Sequence, residues 1–142
     1  MTVLLDDHLL RDWLAGPDQA LLDAIGHDVV ATTNLWYVRL CKSAANRRGG
    51  ALLGGWSDEE RDAIIGGLLS LDDAITVKPL RELAWRMGVL SAEHSGVSSL
   101  GAEAVAAAET LDASVLVSSR DDGPGIRACC QSVGVGYRAL PR

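Results

Sequence analysis

The sequence predicts an α/β fold in three layers, with a mostly parallel central sheet covered by helices on both faces. Two observations support this prediction. Short apolar runs alternate with segments in which apolar residues recur at helical spacing. The connections between successive apolar runs are long enough for right-handed crossovers, which place neighbouring strands parallel. With 142 residues, of which 48% are hydrophobic, the chain can form one packed core, so we assign residues 1–142 to a single domain.

Five short segments are predicted strands. Thr2–Leu5 is an apolar run that ends at Asp6 and Asp7, a pattern typical of a buried parallel strand. Residues 115–118 have the strongest strand pattern and are also followed by charged residues. Weaker strand patterns lie at residues 29–31, 75–77 and 137–140. We expect a sheet of four or five strands with residues 3–5 and 115–118 near its centre.

Helices are predicted between these strands from apolar periodicity and capping residues. Ser57 and Glu60 form a capping box that begins a helix through Leu69. Pro79 begins a helix that we expect to end near Gly88. Further helices are predicted at residues 9–14, 17–25, 33–41, 100–111 and 126–133. Three tryptophans at apolar helical positions are predicted to lie in the core or at an interface: Trp13, Trp36 and Trp85.

Residues 46–55 carry four glycines and two arginines, which predicts a flexible loop. Arg47 and Arg48 in this loop form the basic cluster of the sequence. Two interpretations stay open for these arginines, a solvated loop and a contact with RNA phosphates.

Composition and charge restrict the function. A net charge of −6 argues against a surface built for non-specific nucleic-acid binding, but an acidic metal site would itself add negative charge. The first apolar run meets acidic residues at once, so we predict no signal peptide. No apolar run approaches the roughly 20 residues that a membrane helix needs, so we predict no membrane segment. Three cysteines lack metal-binding spacing, so we expect reduced thiols in a cytoplasmic protein: Cys41, Cys129 and Cys130.

The start of the chain resembles a response-regulator receiver domain. Residues 3–7 place paired acids after the first strand, where receivers hold magnesium, and Lys78-Pro79 is similar to the Lys-Pro step of that family. The resemblance implies a phospho-accepting Asp at the end of the third strand. This chain has no acid in the corresponding residues 50–56. The receiver hypothesis therefore ranks third.

A second resemblance covers most of the chain. Residues 100–108 and 116–121 are similar to the Ala-rich helix, apolar strand and Ser-x-Asp turn of PIN domains, the metal-dependent ribonucleases that include the VapC toxins. The opening strand, residues 75–84 and residues 126–140 follow the order of elements in that family. The resemblance implies a PIN-like α/β/α fold, Mg²⁺ or Mn²⁺ as cofactor, an RNA substrate and a homodimer. For toxins it also implies a small antitoxin protein whose peptide fills the groove.

The same resemblance assigns the site residues. Asp6, Glu103 and Asp121 would hold the metal and carry catalysis, and Asp122 would be a stand-in metal ligand. Mg²⁺ and Mn²⁺ prefer oxygen ligands, and the carboxyl ends of parallel strands meet at one sheet edge. We therefore expect the oxygens of the first three carboxylates to approach within about 8 Å of a common point. The bound metal activates a water and offsets charge on the phosphate.

The sequence departs from the PIN pattern at this site. The family's second acid belongs on the helix after the second strand, but residues 32–37 contain no Asp or Glu, and Asn34 or Trp36 stands there. Glu103 is one methylene longer than the usual Asp, and His8 replaces a small polar residue. We interpret His8 as a solvent-exposed or capping residue. Each lost acid removes a ligand and Coulombic attraction, which predicts weaker metal binding.

Each candidate also has an ordinary structural explanation. Asp6 or Asp7 can cap the first helix. Glu103 can be an exposed first-turn residue that the helix dipole favours. Asp121 and Asp122 can belong to a plain turn before Gly-Pro-Gly.

Two functions therefore compete. The leading hypothesis is a divalent-metal-dependent ribonuclease of the PIN toxin type with weakened activity. The rival is a catalytically silent PIN-like module that binds a partner, and the missing second acid favours this rival.

Overall fold

The computed structural model describes residues 1–46 and 48–142, so Arg47 lies outside the described residues. Strands and helices alternate through most of the described chain. The strands are β1 (Thr2–Leu5), β2 (Val29–Thr32), β3 (Thr76–Val77), β4 (Ala113–Ser118) and β5 (Tyr137–Leu140). The helices are α1 (Asp7–Ala15), α2 (Gln19–Ile25), α3 (Asn34–Ala45), α4 (Gly50–Leu53), α5 (Asp58–Leu69), α6 (Leu80–Glu93), α7 (Ser99–Leu111) and α8 (Pro124–Val133).

The five strands form one parallel sheet in the order β3-β2-β1-β4-β5. Leu4 pairs with Ala31 on one side and Val115 on the other, so β1 is the central strand and β4 is its neighbour. The predicted parallel sheet and its central strands are confirmed. A receiver has the strand order 2-1-3-4-5, so this strand order excludes the receiver hypothesis.

The sheet separates two apolar cores, because successive side chains of a strand point to opposite faces. Val3 and Leu5 face the core formed with α1 to α5, whereas Leu4 faces the core formed with α6 to α8. Helix α7 is buried along residues 101–108, and its small side chains allow it to pack between α6, α8 and the sheet. The three-layer α/β/α fold predicted from the sequence is confirmed.

Three details of the prediction were wrong. Residues 46–55 contain helix α4, because Leu52 and Leu53 are buried in the first core. Helix α6 continues past Gly88 and ends at Glu93, since Leu90, two residues beyond the glycine, is a buried core residue. Trp36 is in the core, but Trp85 is 86% exposed, so the core position was wrong for Trp85 and the interface position stays a prediction. No described helix has the length and apolar character to cross a membrane.

The three cysteines are free thiols. Cys129 and Cys130 belong to α8 and are buried in the second core, and Cys41 is partly buried. Burial raises the pKa of Cys130 to about 12, so this side chain stays a neutral thiol at physiological pH.

Candidate metal centre

The carboxyl ends of β1 and β4 lie side by side at one edge of the sheet. From β1 the strand order runs to β2 and β3 in one direction and to β4 and β5 in the other. The helices that follow β1 and β4 pack on opposite faces of the sheet. This arrangement opens a crevice at a topological switch point, where open α/β sheets bind ligands. Asp6 follows β1 and Asp121 follows β4, so both residues lie at the crevice.

Asp6 is completely buried and is held by backbone hydrogen bonds on both sides of the crevice. Its Oδ1 atom accepts a hydrogen bond of 2.9 Å from the Leu9 amide, so Asp6 is the N-cap of α1. Its Oδ2 atom accepts a hydrogen bond of 2.9 Å from the Ser118 amide at the end of β4. The same carboxylate therefore caps α1 and faces the crevice, and it is held in position by backbone amides of α1 and β4.

His8 links the two sides of the crevice. Its Nδ1 atom lies 2.9 Å from Asp121 Oδ2 and 3.1 Å from Asp7 Oδ1, and the whole residue is 8% exposed. The interpretation of His8 as a solvent-exposed or capping residue was therefore wrong. The first turn of α1 directs this side chain across the crevice instead of into solvent.

Four residues form what we call the acidic cluster: Asp6, Asp7, His8 and Asp121. Each offers one ligand atom, and these four atoms all lie within 4.8 Å of one another. Three of the four residues are buried, so water screens their charges only weakly. Three carboxylates at this separation repel one another unless protons or cations compensate for their charge.

Protonation supplies part of that compensation. Burial and the neighbouring Asp121 raise the pKa of Asp6 to about 8, and burial also raises the pKa of Asp7. The bonds to Asp121 and Asp7 raise the pKa of His8 to about 9, which favours the imidazolium at neutral pH. Burial alone would raise the pKa of Asp121, but hydrogen bonds with His8 and the other two carboxyls hold it below its usual range.

Arg39 of α3 supplies a second cation. Its Nε atom lies 3.2 Å from Asp7 Oδ2, and about a third of its side chain is exposed. Helix α3 is the helix on which the PIN resemblance places the family's second acidic residue. The side chain from α3 that reaches the acidic cluster is therefore basic. Asn34 instead donates to the Lys78 carbonyl and to Glu103, and Trp36 is packed in the second core.

Glu103 holds the start of α3. Its carboxylate accepts three hydrogen bonds of 2.7 to 2.8 Å, from the Asn34 amide, the Asn34 side chain and the Leu35 amide. Glu103 is completely buried, so the explanation of it as an exposed first-turn residue was wrong. Among the described residues it is not a member of the group of side chains that could share one ion. The structure therefore brings Asp6 and Asp121 together and places Glu103 at a helix N-terminus.

The remaining candidates lie away from the acidic cluster. Asp122 accepts hydrogen bonds from Arg127 and from the Tyr137 hydroxyl at the protein surface. Arg48 is exposed, and its backbone amide donates to Asn46 Oδ1. Neither residue belongs to the grouped ligand atoms of the described chain.

The acidic cluster fits a divalent cation by its donor set. Its three carboxylates supply the oxygen ligands that Mg²⁺ and Mn²⁺ prefer. The buried Asp7 Oδ2 atom accepts no hydrogen bond from any described residue, which leaves an acceptor for a cation. The compensating charges of His8 and Arg39 oppose such binding, because a cation must compete with both for the same carboxylates.

Sequence reasoning missed Asp7 and Arg39 as site residues. Asp7 directly follows Asp6, so a paired-acid pattern was the available signal. Arg39 follows Trp36 by three positions, which places both on one face of α3, and both line the same small pocket beside Asp121. The sequence did not show that this face of α3 meets the sheet edge.

The comparisons with known proteins bear on the fold. A chain from the structure of VapBC-1 from nontypeable Haemophilus influenzae is similar to this chain, with a TM-score of 0.60 and 12% sequence identity. The aligned region covers 98% of each chain. No protein-family model matches the sequence, and none of the curated proteins matches it. At this identity the likeness establishes the PIN-like α/β/α fold.

Proposed function

We propose that this protein is a divalent-metal-dependent ribonuclease whose Mg²⁺ or Mn²⁺ ion is held by Asp6, Asp7 and Asp121. The observation that carries the proposal is the grouping of these carboxylates with His8, within 4.8 Å, at the edge where α/β sheets bind ligands. The sequence resemblance to PIN domains and the fold shared with a VapBC-1 chain support RNA as the substrate.

The residues of the chain have separate roles in this proposal. A bound divalent ion would supply Lewis-acid stabilisation of the phosphate and would lower the pKa of a water. Asp6 is oriented by its two backbone hydrogen bonds, so little reorganisation is needed when it acts as a ligand. His8 Nδ1 lies between Asp7 Oδ1 and Asp121 Oδ2, so a cation that used these two oxygens as ligands would displace the proton shared with them, whereas Asp7 Oδ2 accepts no hydrogen bond from any described residue.

Glu103 is a positioning residue in this proposal. Its carboxylate fixes the first turn of α3, and Arg39 lies about one turn further along the same helix. Glu103 thereby sets where the Arg39 guanidinium meets Asp7. This assignment replaces the metal-ligand role that the sequence resemblance gave to Glu103.

The proposal also includes two protein partners. Pairing with a small antitoxin protein is consistent with a neighbour whose structure is named VapBC-1. A homodimer is the assembly that the PIN resemblance implies. Light scattering on the purified chain, alone and after co-expression with the product of an adjacent small gene, measures both assemblies.

The test compares two adjacent aspartates that differ in their surroundings. We expect weak RNA cleavage that depends on Mn²⁺ or Mg²⁺ and stops on chelation. Asp121→Asn should abolish cleavage and Mn²⁺ binding, whereas Asp122→Asn, the matched control at the surface, should leave both unchanged. Calorimetry and cleavage of a labelled RNA, at neutral and alkaline pH, measure the two properties. An Asp121→Asn protein that cleaves RNA as well as the wild type would refute the proposal.

A second function is favoured by a specific observation. The charges of Asp7 and Asp121 are already compensated by Arg39 and His8, so the acidic cluster is stable without an ion. This internal compensation suits a catalytically silent PIN-like module that binds a partner. Absence of Mn²⁺ binding at millimolar concentration at both pH values, together with no RNA cleavage, would reject the ribonuclease, and co-purification of a partner protein would then support this alternative.

A further inference from the structure

Two small pockets flank Arg39 on the outer surface of α3. The first has a volume of about 130 Å³ and is lined by Arg39, by Asp121 of the acidic cluster and by residues at the start of α7. The second has a volume of about 170 Å³ and is lined by Arg39, Lys42, Ser43 and residues of α4. Arg39 is therefore shared by a pocket at the candidate metal centre and a pocket further along α3.

The Arg39 guanidinium has N–H donors that are not used by any described acceptor. Its Nε atom faces Asp7 Oδ2, but its terminal nitrogens donate no hydrogen bond to any described residue. The Nε–Oδ2 separation of 3.2 Å is an ion pair without hydrogen-bond geometry, since the buried Asp7 Oδ2 has no hydrogen-bond partner. Because a guanidinium carries five N–H groups in a planar fork, Arg39 can contact Asp7 and still bind a phosphate in two places.

The second pocket is basic although the chain as a whole is acidic. Lys42 is exposed and follows Arg39 by three positions, so both side chains lie on one face of α3. Arg39 and Lys42 are the charged residues among those that line this pocket, and its remaining lining residues are Ser43, Ala51 and Leu52. The chain has a net charge of −6, so a pocket lined by the two cations Arg39 and Lys42 differs in sign from the average charge of the protein.

We propose that the two pockets form a path for the backbone of a single-stranded nucleic acid, with Arg39 binding one phosphate and Lys42 the next. This inference rests on the proposed function, which places the metal ion at Asp6, Asp7 and Asp121. Side chains three positions apart on a helix are separated by about 5–6 Å at Cβ, which is of the order of the spacing between neighbouring phosphates along one strand. Phosphate contacts of this kind position the strand and carry no sequence information.

The test measures binding without cleavage, so it is done in EDTA. Fluorescence anisotropy of labelled ten-nucleotide RNA and DNA strands of one sequence, across a series of KCl concentrations, gives the dissociation constant and its salt dependence. We expect Lys42→Ala to raise the dissociation constant several-fold on both strands and to reduce the slope of log Kd against log salt by about 0.7. Arg81→Ala is the matched control, because Arg81 is an exposed cation on α6 in the opposite helical layer.

A second variant addresses Arg39 without leaving Asp7 uncompensated. Arg39→Lys keeps the positive charge but loses the planar fork, so it should also weaken binding to both strands. The proposal is overturned if Lys42→Ala and Arg81→Ala bind equally, if the loss occurs without a change in salt slope, or if it is confined to one sugar type. Wild-type binding weaker than about 0.1 mM at low salt would also overturn it.

The design separates this inference from the proposed ribonuclease. Strand binding in EDTA that depends on Lys42, combined with no metal-dependent cleavage, would retain the path and reject the ribonuclease. Metal-dependent cleavage with an unchanged KM in Lys42→Ala would retain the ribonuclease and reject the path.

Discussion

Replacing Glu103 by alanine separates a structural role from metal binding. In the structure this carboxylate accepts hydrogen bonds from two backbone amides at the start of α3 and from the Asn34 side chain. Those amides belong to the first turn, whose N–H groups have no partners within the helix. Glu103→Ala leaves three donors without their acceptor inside a packed protein. We therefore expect a large loss of stability and little change in metal affinity.

The size of the loss follows from these contacts. A hydrogen bond to a charged group contributes about 1.5–3 kcal/mol, but the three share one carboxylate and do not add fully. Removing the carboxylate also removes the cost of burying its charge, which offsets part of the loss. We expect Glu103→Ala to lower the free energy of unfolding by about 3 kcal/mol, or roughly 10 °C in midpoint. Glu109→Ala, on the exposed side of the same helix, removes only the ion pair to Arg86 and should cost less than about 1 kcal/mol.

Denaturant unfolding followed by tryptophan fluorescence measures the stabilities, and calorimetry with Mn²⁺ measures the affinity of each folded variant. We expect the Mn²⁺ affinity of Glu103→Ala to stay within about threefold of the wild type, since the grouped ligand atoms come from other residues. A Glu103→Ala protein with wild-type stability and no Mn²⁺ binding would show that Glu103 is a metal ligand. The structural reasoning would then be refuted.

Two further predictions concern the charges of the acidic cluster. With pKa values raised to about 8 for Asp6 and about 9 for His8, the folded state binds more protons than the unfolded state. Stability in EDTA should therefore fall between about pH 5 and pH 9, by up to about 1.4 kcal/mol per proton and pH unit. Asp6→Asn should flatten the fall below pH 8 in thermal unfolding, and a wild-type midpoint that rises with pH would contradict this. Arg39→Glu replaces a cation beside Asp7 by a carboxylate and should strengthen Mn²⁺ binding about tenfold or more in calorimetry. Unchanged affinity would show that position 39 does not contribute to the ion site.

The fold could be predicted from the sequence because its signals are local. Thr2–Leu5 and residues 115–118 are continuous apolar runs, as expected for strands that are covered on both faces, and they are the two neighbouring central strands. The same local rules failed at residues 46–55. Four glycines indicate a loop, but contact with the core holds Leu52 and Leu53 in helix α4. Tertiary packing, and not local sequence, therefore determines the helical structure of Gly50–Leu53.

The site was only partly predictable for a different reason. Asp6 and Asp121 follow strands, and parallel strands bring their carboxyl ends together, so their proximity follows from the fold class. The contacts of Glu103 and Arg39 depend on how α7 and α3 are placed against the sheet. Periodicity gives the buried face of a helix but not the partner of each polar side chain. His8 was misjudged for the same reason, since its ring meets a residue 113 positions away.

Whether the protein is an enzyme or a silent module depends on a competition for the carboxylates of the acidic cluster. A divalent ion competes there with the cationic side chains of His8 and Arg39. The bonds to Asp121 and Asp7 raise the pKa of His8 to about 9, and burial raises the pKa of Asp6 to about 8, so protons compete with a metal for this cluster at neutral pH. This competition weakens as the pH rises, because the protons leave the cluster. Arg39 adds repulsion toward the ion at every pH, because a guanidinium does not deprotonate. The carboxylates of the acidic cluster therefore suit a divalent ion, whereas His8 and Arg39 lower the affinity for that ion.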